Sequence, residues 1–316
     1  MTLHEFDIIK QFFAAQRTHR PDVVVGIGDD CAVVDVPSDQ QLVMTMDTLV
    51  ADIHFFNSNV TTPYEIGYKA LAVNLSDLAA MGAMPAWITL GITLPQADET
   101  WLKDFCKGLF HLAQKYNVQL IGGDLTRGPL TITIQAHGFV PKNQAIKRSG
   151  AKPGDLIYVT NTLGDAALGL LILQNKITVP EQYKNDFIFR LHQPYPQIEM
   201  GISLRHIANS AIDISDGLAA DLNHILQASK VGAVIEVDRL PLSNALRECI
   251  PLDEAYHLAL TGGDDYELCF TIPPEHQAVL NENVTCIGVI TEKAGLDLRF
   301  KDGRSYNRAV KGYKHF

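Results

Sequence analysis

The stretch PKNQAIKRSGAKPGD, residues 141–155, divides this chain. It is basic, contains two prolines and two glycines, and has no apolar period, so neither a helix stripe nor a strand face can run through it. Apolar runs with helix or strand spacing resume on both sides. At 316 residues the chain also exceeds what one hydrophobic core ordinarily supports. The expected organisation is two domains of mixed α/β (α+β) class, residues 1–140 and 156–316, joined by a linker at 141–155.

Within the first half, MTLHEFDIIKQFFAAQR reads as an amphipathic helix. DVVVGIGDDCAVVDV reads as two short strands about a glycine-rich turn, with Cys31 entering the second strand. QLVMTMDTLV is a third strand. TTPYEIGYKALAVNLSDLAAMG starts a helix well: Thr62 caps it, Pro63 suits the first turn, Glu65 completes a capping box and Gly82 stops it. AWITLGITL is a strand, DETWLKDFCKGLFHLAQKYN a helix, VQLIGGD a strand ending at Asp124, and GPLTITIQAHGFV a half-buried strand. The second half offers the strands LIYVT, AIDIS, AVIEV, YELCFTI and VTCIGVI, and the helices LGDAALGLLILQN, DGLAADLNHILQAS and DEAYHLAL. GLDLRFKDG looks like half of a terminal hairpin.

Bulk properties narrow the function. A formal net charge of −10 argues against a nucleic-acid or anionic-membrane surface. Five scattered cysteines without a C-x-x-C pair suit a reducing compartment. The N-terminus has no basic region before its apolar residues, and Asn74 and Asp77 interrupt the longest apolar run. A soluble, cytoplasmic protein is expected. No P-loop, dinucleotide fingerprint or protein-kinase signature occurs, and no Ser–His–Asp or Cys–His set is nominated by spacing.

The informative residues are acids in apolar surroundings, where an ionised carboxylate is unfavourable without a cation or donors. Asp77 sits mid-helix in ALAVNLSDLAAMGAMPAW, with Asn74 one turn earlier on the same face. Taken alone it can be a structural aspartate, and the twin acids Asp29 and Asp30 can be a solvated hairpin turn. The companions of Asp77 are Asp30, Asp47, Asp124, Asp213 with Asp216, and Asp264 with Asp265, and four of these clusters share one pattern, an apolar element followed by small flexible residues and a carboxylate. Oxygen donors without clustered His or Cys favour Mg²⁺ over zinc. A multi-carboxylate magnesium site in turn suits an anionic substrate and phosphoryl transfer. AIDISDGLAADL adds Ser215 as a cap and a helix start whose N–H groups can face an anion. Arg148 can reach a nucleotide or be a solvated linker charge, and His54 taken alone reads as structural.

GIGDDCAVV, TMDTLVADIHF, YKALAVNLSDLAAMGAMPAW, LIGGDLTRGPL, RSGAKPGDLIYVT, AIDISDGL and TGGDDYELCF, in this order, resemble the thiamine-monophosphate kinase family, within the aminoimidazole ribonucleotide synthetase-like superfamily. KGYKHF is similar to that family's C-terminal end. The resemblance implies an N-terminal sheet-and-helix domain that dimerises through its strands, a C-terminal α/β domain and an active site in the cleft between them. It implies transfer of the ATP γ-phosphoryl group to thiamine monophosphate, assisted by several Mg²⁺ ions and with no covalent nucleophile. Magnesium ligands fall on Asp30, Thr45, Met46 through its backbone oxygen, Asp47, Asp77, Asp124, Asp213 and Asp216. ATP contacts fall on Gly123, Asp124, Arg148 and Ser215, and substrate contacts on His54, Asp264 and Tyr313. Two positions depart from the family pattern. Met46 replaces a small hydroxyl residue, and Asp264 replaces a glutamate, shortening that acid by one methylene.

Two other readings remain open at this level. One is a different ATP-using enzyme of the superfamily, of which the selenophosphate synthetases would place a reactive thiol in an N-terminal loop. The other is a non-catalytic nucleotide or thiamine-phosphate binding protein.

Overall fold

The computed structural model describes residues 4–56, 60–280, 282–310 and 312–313. Of the segments read above, Met1–Leu3 at the chain start and Lys311, Lys314, His315 and Phe316 of KGYKHF lie outside the described residues. The chain divides into two compact units: residues 1–78 with 83–143, and residues 79–82 with 144–316.

The N-terminal unit opens with α1 (Glu5–Ile8), which continues as a π-helical turn through Phe13 and buries Ile8, Phe12 and Phe13. β1 (Val23–Val25) and β2 (Val33–Val34) pair antiparallel as the sequence indicates, but Cys31 lies exposed in the bend before β2. Then follow β3 (Gln40–Val50), α2 (Pro63–Ala80), β4 (Met84–Leu94), α3 (Glu99–Lys115), β5 (Gln119–Arg127) and β6 (Thr131–Pro141). The capping box forms: Glu65 Oε2 accepts from Thr62 N at 2.7 Å, and Thr62 Oγ1 accepts from Glu65 N at 3.3 Å. Asp98 caps α3 by accepting from Thr100 N and Trp101 N. The sheet order is β3-β6-β4-β5, with β3 and β5 at opposite edges. Leu71, Leu75, Leu102, Phe105, Leu109, Ile88, Ile92, Ile132 and Ile134 are all almost wholly buried. Each aliphatic or aromatic side chain so buried contributes roughly 1.5–3 kcal/mol. β5 does not stop at Asp124 but runs on to Arg127, because Gly123 through Arg127 stay in register with Leu90 through Leu94 of β4.

The C-terminal unit contains β7 (Leu156–Thr160), α4 (Asp165–Leu173), α5 (Glu181–His192), α6 (Ile198–Ser203), β8 (Ser210–Ile214), α7 (Leu218–Ser229), β9 (Gly232–Glu236), α8 (Asn244–Cys249), α9 (Leu252–Thr261), β10 (Glu267–Ile272), β11 (Val284–Thr291) and β12 (Gly295–Arg299). Its six strands are ordered β12-β9-β11-β7-β10-β8. Ile157, Val159, Ile212, Ile214, Leu218, Leu222, Ile225, Ala259 and Leu260 lie in its core. β12 is not mainly half a hairpin: it pairs parallel with β9, and only an isolated bridge, Arg299 to Ser305, turns back on it.

Candidate active site

Alternation along β3 separates its side chains. Thr45, Asp47 and Leu49 pair with Ala136, Ile134 and Ile132 of β6, all buried, so they share the covered face of the sheet. Met44 and Met46 take the other face and are 59% and 63% exposed. The Met46 side chain therefore turns away from the acids, and its departure from the family pattern leaves their face unchanged. Thr45 Oγ1 donates to Asp77 Oδ2, which ties β3 to α2. Burial, followed by the charge of Asp77, pushes the Asp47 carboxyl up to about 6. One turn before Asp77, Asn74 is fully buried; its amide donates to Ala70 O, and its Oδ1 has no partner among the described residues.

The other N-terminal candidates stand apart. Asp29 and Asp30 are exposed, and Asp29 Oδ1 accepts from Asp30 N at 2.9 Å, so Asp29 shapes the turn. Asp124 is exposed on edge strand β5, with two strands between it and β3. It pairs with Gly91, which packs beside Thr133 on the face opposite to that of Asp47. Gly123 cannot be replaced easily: its φ is 151°, and a Cβ there would lie 1.9 Å from Leu90 O. His54 follows β3 in a tight turn, where its Nδ1 accepts from Val50 N at 3.0 Å, leaving Nε2 to carry the proton of the neutral ring. No three His, Cys, Asp or Glu side chains converge as a ready-made metal cage among the described residues.

In the C-terminal unit, backbone bonds collect four of the remaining candidates. β8 carries the buried Asp213 into the turn at 215–217. Ser215 O accepts from Asp264 N at 2.9 Å, and Asp216 O accepts from Tyr313 N at 3.1 Å. Ser215 is not the cap of α7. That helix is capped at Gly217, and the N–H groups of 215–217, which precede its first turn, all bond to Asp221. Asp265, beside Asp264, is buried and accepts from Gly164 N through both oxygens, at 3.1 and 2.9 Å. Burial raises its pKa well above the ordinary value. Arg148 is exposed beside the start of β8, where Lys147 O accepts from Ala211 N. A cavity of about 1010 Å³ in this unit is walled by Thr162, Asp165, Arg190, Tyr195 and Ser243 and includes none of the candidate residues.

Sequence reasoning passed over Asp221, although it carried the signal that singled out Asp77. It occupies the apolar stripe formed by Leu218, Leu222 and Ile225.

The family model for AIR synthase related protein, N-terminal domain, matches residues 28–140, and the corresponding C-terminal domain matches 152–301. The chain is 49% identical over 324 residues to the thiamine-monophosphate kinase of Escherichia coli (strain K12), covering 100% of this chain and 99% of that one. It belongs to the thiamine-monophosphate kinase family. Among solved structures, the thiamine-monophosphate kinase from Stenotrophomonas maltophilia K279a aligns with a TM-score of 0.87 at 43% identity, covering 97% of this chain and 99% of that one. A second, described as AaThiL complexed with AMPPCP and TMP, aligns with a TM-score of 0.79 at 31% identity, covering 100% of this chain and 99% of that one. Membership accounts for the mixed α/β fold of the two units. No helix among the described residues is long and apolar enough to cross a membrane.

Proposed function

We infer that this protein is a kinase that transfers the γ-phosphoryl group of ATP to thiamine monophosphate, forming thiamine diphosphate and ADP. The observation that carries this reading is the full-length 49% identity with the Escherichia coli thiamine-monophosphate kinase. The AaThiL structure with an ATP analogue and TMP supports both substrates.

The donor set of the N-terminal unit fits Mg²⁺. Asp47 and Asp77 repel each other in a partly desolvated site, Thr45 supplies a hydroxyl, and Asn74 Oδ1 is a buried acceptor with no partner among the described residues. We assign magnesium binding to Asp30, Thr45, the Met46 backbone, Asp47, Asp77, Asp124, Asp213 and Asp216. When bound, the ions neutralise charge on the phosphoryl oxygens. Gly123, Asp124, Arg148 and Ser215 are assigned to ATP. His54, Asp264 and Tyr313 are assigned to thiamine monophosphate. The acceptor phosphate oxygen is already anionic near neutral pH, so these side chains have only to hold two phosphates in line. Asp264 and Tyr313 suit the thiazolium cation as a charge and an aromatic face.

We also propose a homodimer through the outer face of the N-terminal sheet, where Leu42, Met44 and Met46 stand exposed on β3. The domains are assigned to 1–140 and 156–316, and the workplace to the cytoplasm, where five free thiols persist.

Purified protein with ATP, Mg²⁺ and thiamine monophosphate should yield thiamine diphosphate and ADP in equal amounts. Absence of product, with ADP formed only on another acceptor in a substrate panel, would overturn the assignment. That panel also tests the reactive-thiol alternative, because Cys31 lies exposed next to Asp30 rather than within a strand. Met46→Lys should convert a dimer to monomers in sedimentation; unchanged mass would remove the proposed interface.

A further inference from the structure

Three consecutive N–H groups in the turn between β8 and α7 point at one atom. Asp221 Oδ2 accepts from Ser215 N at 3.1 Å, Asp216 N at 3.0 Å and Gly217 N at 3.1 Å. Asp221 is 3% exposed, so water does not compete for these bonds. One acceptor can serve three donors only if their peptide planes converge, so this carboxylate fixes the path of the turn. The carbonyl side of the same segment is held by distant parts of the chain. Ile214 O accepts from Tyr266 N at 2.8 Å, Ser215 O from Asp264 N and Asp216 O from Tyr313 N. Around the ring, Asp264 and Tyr266 have φ of 69° and 50°, a left-handed conformation that persists for such residues only where neighbours enforce it.

We propose that Asp221 is a positioning residue for the nucleotide- and metal-binding turn. It reaches neither substrate nor ion, and it sets the direction of Ser215 and Asp216 by occupying the N–H side of their peptides. The proposal rests on the kinase reading, which gives Ser215 and Asp216 their roles. It also assigns the turn's contact with ATP to side chains, because its N–H groups are engaged by Asp221.

The test compares Asp221→Ala, Asp221→Asn and Asp221→Glu with Asp155→Asn in the full chain. Asp155 is a matched control, 4% exposed and bonded to Asn209 Nδ2 and Lys152 N, away from the turn. Removing a residue that orients ligand-binding groups typically costs about 10–100-fold in affinity. Asp221→Ala should therefore raise the KM for MgATP and the Mg²⁺ requirement by at least about tenfold, while the KM for thiamine monophosphate changes by less than about threefold. Amide exchange at 215–217 should accelerate by a similar factor while that of β8 stays constant. Asp221→Asn should restore most of both, because its amide oxygen can accept the same N–H groups. Asp155→Asn should shift the Tm and move neither constant. If Asp221→Ala does not fold, Asp221→Glu carries the test: it moves the acceptor by one methylene and should still raise the MgATP KM. Wild-type MgATP constants and exchange in Asp221→Ala, or in Asp221→Glu if the alanine variant does not fold, would overturn the proposal, as would an equal MgATP defect in Asp155→Asn. If the wild type makes no thiamine diphosphate, the kinase reading fails, and exchange at 215–217 still decides whether Asp221 holds the turn.

Discussion

In the N-terminal unit Asp47 lies in a partly desolvated site with Asp77 as the charge acting on it, and both influences raise its pKa. The C-terminal unit buries Asp221, Asp265 and Glu267 more deeply, and burial raises their pKa values too, that of Asp221 to about 7, but each also has hydrogen-bond donors that pull the other way, which Asp47 lacks. Asp221 takes three backbone N–H groups and Asp265 takes Gly164 N. Glu267 Oε1 accepts from Arg190 at 2.9 Å, while its Oε2 accepts from Thr160 Oγ1 at 2.5 Å and Asn161 Nδ2 at 2.9 Å. Compensated carboxylates have their work inside the fold, where they tie loops and strands together. Asp47 is raised by burial and by the charge of Asp77 alone, and at such a carboxylate a cation from outside lowers the energy.

The largest effect should come from Asp47→Asn. Turnover is expected to fall about 10²–10³-fold, the usual scale for one group that stabilises transferred charge. The Tm near pH 7.5 should stay constant or rise, because a desolvated charge has been removed. Wild-type turnover at limiting Mg²⁺ would break the contrast between the two classes of acid. Arg190→Ala should do the reverse, leaving Glu267 buried without its cation. Breaking a buried pair costs about 3 kcal/mol, the low end of the range, because Arg190 keeps a side-chain exposure of 28%. Chemical denaturation of this variant and of Arg190→Met/Glu267→Gln checks the figure, since the double variant should recover most of the loss. An undiminished midpoint in Arg190→Ala would show that the pair is not structural.

Much of this was legible because its signals are local. The capping box at Thr62 and Glu65, the alternation in β3 and β6 and the isolation of Asp77 on an apolar helix depend on neighbours within a turn or two. The region between Lys176 and Ser203 was opaque. Pro180, Pro194 and Pro196 interrupt it, and α5 buries only Phe187, Leu191 and His192, too narrow a stripe to register as a period. The short turn back from Arg299 to Ser305 was legible, but the main partner of β12 was not, because its parallel pairing with β9 joins residues about sixty apart, which no local pattern encodes. At the candidate site, chain order grouped Asp124 with Asp47, whereas strand order sends them to opposite edges of the sheet. Ser215 looked like a cap because a serine before a helix ordinarily is one, and a deeper carboxylate six residues on took the donors instead.

The finest test of the contrast is pH. The Asp47 carboxyl ionises at about 6 in the folded protein, against an ordinary value of 3.8. Between those values the folded state holds a proton that the unfolded chain has released. Unfolding then releases a proton, so the metal-free protein loses stability as pH rises through that window, and the loss persists above it. Asp47→Asn should flatten that part of the curve of Tm against pH. Magnesium acts with the opposite sign, because it binds the ionised carboxylate and competes with the proton. Added Mg²⁺ should therefore raise the Tm more at pH 7.5 than at pH 5, and this difference should vanish in Asp47→Asn. An equal magnesium shift at both pH values in the wild type would place the ion on acids whose protons are not lost in this range, away from Asp47.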